Sequence, residues 1–171
     1  MGERRLGLPT IAVRILGIAS TTRGFAFAVT EGPRRLVDWG LRRVPAKTKK
    51  MVLALDVVLQ RARPLFVAFD CESSQKKRHR GKLFAKVVKE VCEAHGVMIL
   101  DVKNQQTNAL AEMPKPTKWD VADAIARLFP EIAAKLPPRR KLWESENDHI
   151  GLFMAVAVAV SAWDSFRRPQ K

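Results

Sequence analysis

Cysteine, acids and long apolar runs are what this sequence has little of, and each shortage excludes something. There are two cysteines, Cys71 and Cys92, in 171 residues. Their separation fits no metal-ligand spacing, and their number is far below that of a disulfide framework. Both are expected to be reduced and buried, in a cytosolic, hence cytoplasmic, protein. The longest nearly charge-free run, Ile150 to Trp163, has fourteen residues and is too short to span a bilayer. The opening MGERRLGLPT is polar and the apolar run after it is broken by Arg14, so no secretory signal, myristoylation pattern or membrane partner is expected. No internal repeat or domain boundary is evident. Residues 1-10 read as an N-terminal tail and 11-171 as one domain, whose 47% hydrophobic content suffices for a core without staples.

The scarcity of acids is the most informative shortage. Seventeen Asp and Glu stand against 31 Lys and Arg, a net charge of 31 − 17 = +14 with a pI of about 10.5. That excess is more than solubility requires and points to a polyanion, nucleic acid in the first place. Non-specific attraction to an anionic membrane is the bland alternative. No acid at all lies between Glu3 and Glu31.

The chain is organised around Arg14 to Val29, RILGIASTTRGFAFAV, in which two apolar runs bracket the turn Ser20 to Gly24. Val, Ile and Phe suit a buried pleated surface, and the Ser/Thr cluster with Gly24 supplies the turn, so a hairpin is predicted. A third strand follows at Leu36 to Leu41. Met51 to Arg61 carries apolar residues at offsets of three and four and reads as an amphipathic helix ended by Pro64. Leu65 to Phe69 is a continuous apolar run, the mark of a strand buried on both faces, and it delivers Asp70 at its end. Ser73 to Lys82 reads as a basic loop, Leu83 to Ala94 as a helix closed by His95-Gly96, and Val97 to Leu100 as a fifth strand ending at Asp101. Lys103 to Lys118 is polar and contains proline. Trp119 to Phe129 is a further amphipathic helix, and Lys135 to Trp143 a stiff basic connector. The alternating Ala and Val of the Ile150 to Trp163 run suit a strand as well as a helix; Asn147-Asp148, which can cap a helix, favours the helix.

The predicted order βββαβαβαα is that of an α/β protein and resembles the RNase H-like fold, nearest to the RuvC-type Holliday junction resolvases. The resemblance rests on the ILGIASTTRGFAFAV hairpin, the LFVAFD strand, the GKLFAKVVKEVCEAHGVMILDV helix and strand, the TKWDVADAIARLF helix and the DHIGLFMAVAVAV helix. It implies a five-stranded mixed sheet in order 3-2-1-4-5, strands 1, 4 and 5 parallel, helices on both faces, and Ala19 and Asp70 side by side at one end. It also implies a two-metal nuclease site, with Mg or Mn held by carboxylates from the first strand, the fourth strand and the last helix. Here this chain departs from the pattern. The first-strand acid position falls on Ala19 and the last-helix position on Met154, with Gly151 one turn earlier. Asp70 alone matches, with Glu72 on the same side if its strand continues.

The acids that remain near these positions are Asp70, Glu72, Glu144, Glu146 and Asp148, with Asp38 and Asp101 as outsiders. Asp70, Glu72, Glu146 and Asp148 are the candidate catalytic set, and Asp70, Glu146 and Asp148 the candidate metal ligands. Each has a plainer reading: Asp148 as an N-cap or first-turn acid favoured by the helix dipole, Glu144 and Glu146 as partners of nearby cations. His79 and His149 are candidate bases or phosphate contacts. Lys76, Lys77, Arg78, Arg80 and Lys82 fall within seven residues just after Asp70, and Arg139, Arg140 and Lys141 lead into the last helix. These are the candidate nucleic-acid contacts; Arg34, Arg35, Arg42 and Arg43 can simply decorate a solvent face. Two functions follow. One is a nucleic-acid-binding protein with a degenerate metal site that recognises duplex or branched DNA, with DNA ahead of RNA. The other is an active, metal-dependent, structure-selective endonuclease with a rearranged site. A homodimer or a larger nucleoprotein assembly is compatible with either.

Overall fold

The turn at Ser20 to Gly24 closes a hairpin between β1 (Ile15–Ser20) and β2 (Gly24–Thr30). A Cβ on Gly24 would lie 1.7 Å from the Arg42 carbonyl oxygen, so the close pairing with β3 (Leu36–Arg43) requires glycine there. In this computed structural model the described residues are 12–75 and 79–167. The tail read at 1-10 lies outside them, as do Lys76, Lys77 and Arg78. The chain continues through α1 (Thr48–Ala62), β4 (Phe66–Phe69), α2 (Cys71–Gln75), α3 (His79–His95), β5 (Met98–Asp101), α4 (Asn104–Ala109), α5 (Lys118–Leu128), α6 (Pro130–Ala133) and α7 (Asp148–Arg167). The five strands form one sheet in order β3-β2-β1-β4-β5, with β1, β4 and β5 mutually parallel, as expected.

Side-chain size sorts the two faces of this sheet. Along β2, Phe25, Phe27 and Val29 point to one face and Ala26 and Ala28 to the other, the alternation a pleated strand imposes. The large face packs against α1 through Met51, Leu55 and Leu59 and against α3 through Phe84, Val88 and Val91. The small face receives α7 so closely that a Cβ on Gly17 would lie 2.0 Å from the Ala155 carbonyl oxygen. Helix α7 therefore lies directly on the sheet, with α5 against its other side. This is why it shows no polar stripe and why Ala and Val could alternate along it: most of its circumference is buried. It is long and apolar enough to cross a membrane by length and composition, but it lies mostly inside the domain.

The structure differs from the sequence reading where local capping decides. Ser73 to Lys82 is not a loop at its described ends. Asp70 Oδ1 accepts the Ser73 N–H at 2.9 Å, which starts α2 directly after β4, and α3 already begins at His79. The polar stretch after β5 holds α4, nucleated by Gln106 Oε1 accepting the Lys103 N–H at 2.9 Å. Pro130 does end α5, yet it also opens α6 as its first residue, where its missing N–H costs nothing. The predicted stop of α3 holds: Gly96 takes a positive φ of 65°, and the Val97 N–H reaches the Cys92 carbonyl at 2.9 Å.

Candidate nucleic-acid interface

Ile18 of β1 pairs with Phe69 of β4, so Ala19 and Asp70 follow side by side at the carboxyl end of the sheet. That end is where open α/β sheets place their ligand crevices. The first turn of α7 crosses over it. Asn147 caps this helix, its Oδ1 accepting the His149 N–H at 2.9 Å, so the cap predicted from Asn147-Asp148 is the asparagine. Between these elements lies a cleft of about 600 Å³, lined among others by Ala19, Asp70, Glu146, Asp148, Gly151 and Met154. Ala19 and Met154, the two positions at which the resemblance led us to expect acids, thus line the same cleft as Asp70, Glu146 and Asp148.

Each remaining acid already has a partner. Asp70 caps α2 through Ser73. Glu146 forms an ion pair with Lys118, Nζ lying 3.2 Å from Oε1 and 3.4 Å from Oε2. Asp148 Oδ1 accepts the Thr22 hydroxyl at 3.1 Å. Glu72 does not sit as the sequence suggested: the strand ends at Phe69, so the two-residue alternation fails, and Glu72 is an exposed residue of α2 outside the cleft lining. The outsiders are elsewhere engaged, Asp101 accepting the Cys71 N–H at 3.2 Å and Asp38 pairing with Arg61 at 3.2 Å. Glu144 closes a turn by accepting the Lys141 N–H at 3.1 Å.

These donors do not fit a two-metal centre. Among the described residues no three His, Cys, Asp or Glu side chains come together in a group that could hold an ion. The set Asp70, Glu146 and Asp148, expected as metal ligands, shares one cleft without converging on a point. The space where the Gly151 position would carry a side chain is also taken, since a Cβ there would lie 2.5 Å from Thr21 Cγ2.

Cations reach the cleft from elements that sequence reasoning did not join. Arg80 lines it from the first turn of α3, its Nη2 donating to the Val44 carbonyl while its buried Nε has no partner. It is folded against the domain, not extended from a loop as expected. Lys82 is exposed on α3 outside the lining. Lys118 was missed altogether. Its local position was legible, because Thr117 and Asp120 form a capping box at the start of α5, but its neighbour Glu146 lies 28 residues away. Arg23, Arg42 and Arg43 line a second depression of about 420 Å³ that shares Thr22, Glu146, Asn147 and Asp148 with the first. The hairpin arginines at 42 and 43 thus form a wall of that depression. His149 lines the same depression, its Nδ1 3.1 Å from Asn147 Oδ1, whereas His79 is exposed at the start of α3.

The basic connector is anchored beside α5. Arg139 Nη2 lies 2.8 Å from Asp120 Oδ1, and its guanidinium stacks 4.6 Å from the Trp119 ring centre. Bonds from Thr117, followed by Arg139, hold the Asp120 carboxyl below the usual carboxylate range. Burial followed by the nearby Asp101 pushes the Cys71 thiol up, and burial pushes Cys92 up to about 11. Cys92 is buried as expected and Cys71 half-buried, and neither is poised as a nucleophile.

No protein-family model matches the sequence, and no curated protein matches it. Solved structures do. A structure of Thermus thermophilus RuvC superposes with a TM-score of 0.64 at 20% identity, over 90% of this chain and 95% of that one. T. thermophilus RuvC in complex with a Holliday junction substrate gives 0.66 at 17% identity, over 91% and 96%. With the sheet order and the helices on both faces, this near-complete overlap shows that the chain has the RuvC-like, RNase H-like fold.

Proposed function

We propose that this protein is a nucleic-acid-binding module that holds duplex or branched DNA across the cleft and cleaves it slowly or not at all. The observation that carries the proposal is the content of the cleft. Ala19 and Met154 occupy the positions where the resemblance implies carboxylates, while Arg80, Lys118 and the wall of Arg23, Arg42 and Arg43 supply positive charge. Positive charge at this density attracts a phosphate backbone, and the hydroxyl of Ser73 offers a neutral phosphate contact. A protein of the same fold has been solved on a Holliday junction substrate, which favours branched DNA as the ligand.

Binding and cleavage assays on junction, flap and RNA–DNA hybrid substrates with Mg²⁺ or Mn²⁺ test the proposal. Tight, salt-sensitive binding without turnover is expected, with log K falling by about 0.9 per phosphate neutralised against log salt. Replacing Lys118, Arg42 and Arg43 with Ala should flatten that slope by roughly one unit per lost contact. Glu146→Gln should tighten binding, because it removes a negative charge from the wall and frees Lys118. The double change Ala19→Asp with Met154→Asp is expected to restore some cleavage. That Asp70, Glu146 and Asp148 share the cleft favours a second reading, a nuclease with a rearranged site. Robust turnover by the unaltered protein that Asp70→Asn abolishes would establish that reading and overturn the first.

A further inference from the structure

The connector before α7 carries an apolar tip that the fold does not use. Leu142 is fully exposed and Trp143 is 79% exposed. The other three tryptophans are engaged: Trp163 Nε1 donates to the buried Thr30 hydroxyl at 2.9 Å, Trp119 Nε1 to the Pro137 carbonyl at 2.9 Å, and Trp39 packs on the core. Trp143 stands on a defined turn. The Glu144 N–H bonds to the Lys141 carbonyl at 3.0 Å, the Glu144 side chain accepts the Lys141 N–H, and Arg140 donates to the Glu144 carbonyl at 3.2 Å. Lys141 Nζ lies 5.4 Å from the Trp143 ring centre, so a cation flanks the indole. Two and three residues further on, Ser145 and Glu146 enter the walls of the depressions described above.

We infer that Trp143 is a stacking platform for an unpaired or unstacked nucleobase, and that the preferred ligand is nucleic acid interrupted by a branch point, bulge or single-stranded segment. This rests on the nucleic-acid reading of the cleft. An intact duplex presents grooves and phosphates but no free base face, whereas an interrupted one presents a flat aromatic surface that an exposed indole matches. Arg140 and Lys141 then meet the phosphates on either side of that base. The charge around the tip argues for this occupant over an apolar protein surface, which would have to desolvate those cations.

The experiment compares the full chain with Trp143→Ala and Trp143→Phe on a four-way junction, a bulged duplex and an intact duplex of equal length. Fluorescence anisotropy gives Kd, and 2-aminopurine at the interruption reports stacking. Trp143→Ala should weaken junction and bulge binding roughly tenfold, as loss of one base–aromatic stack does, and leave duplex binding within about twofold. Trp143→Phe should keep most of the preference and of the 2-aminopurine quenching. Unchanged junction affinity and quenching in Trp143→Ala would overturn the stacking role while leaving the cleft reading intact, and so would equal weakening on all three ligands. Loss of self-association in Trp143→Ala with DNA affinity unchanged would instead assign the tip to a protein contact. Failure of the unaltered chain to bind any of the three ligands would overturn both this inference and the proposed function.

Discussion

The two faces of the sheet are built on opposite principles. One is filled by size: Phe25 stacks on Phe84 with ring centres 5.3 Å apart, and Phe69 meets Phe84 edge-on at 5.9 Å. The other is emptied of size, with Gly17, Ala26, Ala28 and Ala68 facing Ala155 and Ala159 of α7. The first face is stabilised by buried apolar area, the second by close approach of backbone to backbone. The difference bears on function, because the close approach brings the first turn of α7 over the ends of β1 and β4. The cleft is the open end of the tightly packed face.

Cutting into the large face should have the largest effect. Phe84→Ala removes a buried ring from contact with two others and is expected to cost about 3–5 kcal/mol in urea unfolding. A loss under about 1 kcal/mol would mean that the face collapses around the gap and is not packed as described. On the small face the damaging change is an addition. Gly17→Ala places a methyl against the Ala155 carbonyl, a backbone atom that cannot rotate away, and should cost about 1–3 kcal/mol. An unchanged denaturation midpoint would show that α7 stands further from β1.

Near the cleft the same face relaxes, since the obstacle to a side chain at Gly151 is a methyl group of Thr21 and not backbone. Gly151→Ala should therefore be close to neutral alone. Made in a Thr21→Ala background, it should gain about 0.5–1 kcal/mol from helix propensity. If the gain is the same in both backgrounds, Thr21 does not fill that space.

The smallest effect concerns the thiols on the large face. With Cys92 pushed up to about 11, roughly one molecule in a thousand holds its thiolate at pH 8, so labelling by a disulfide reagent should be slow until urea is added. The folded state holds this proton more tightly than the unfolded chain, whose thiol titrates near 9.0. Its contribution to stability is therefore full below about pH 8.5 and is lost as pH rises toward 11. Fast labelling of the native protein at pH 8 would reveal local opening of α3.

What the sequence determined by itself is what periodicity and turn chemistry encode. The hairpin, the succession of strands and helices along the chain and the apolar faces of α1, α3 and α5 were legible, because each is written in residues within a few positions of one another; the excess of positive charge needed only a count, and the order of strands in the sheet came from the resemblance. Helix starts set by a single cap were less so: nothing local distinguished Asp70 as a possible ligand from Asp70 as the acceptor that begins α2. Only the tertiary structure decided which distant residues share the cleft. Lys118 meets Glu146, Thr22 meets Asp148, and Arg42 and Arg43 line one depression with His149 because α7 packs backbone-close on β1 and carries its N-terminal turn to the sheet's end. That Ala and Met stand at positions 19 and 154 can be read from the sequence. That the acids which remain are held by a helix cap, a lysine and a hydroxyl, and do not form a metal cluster, depends on distances that no local pattern contains.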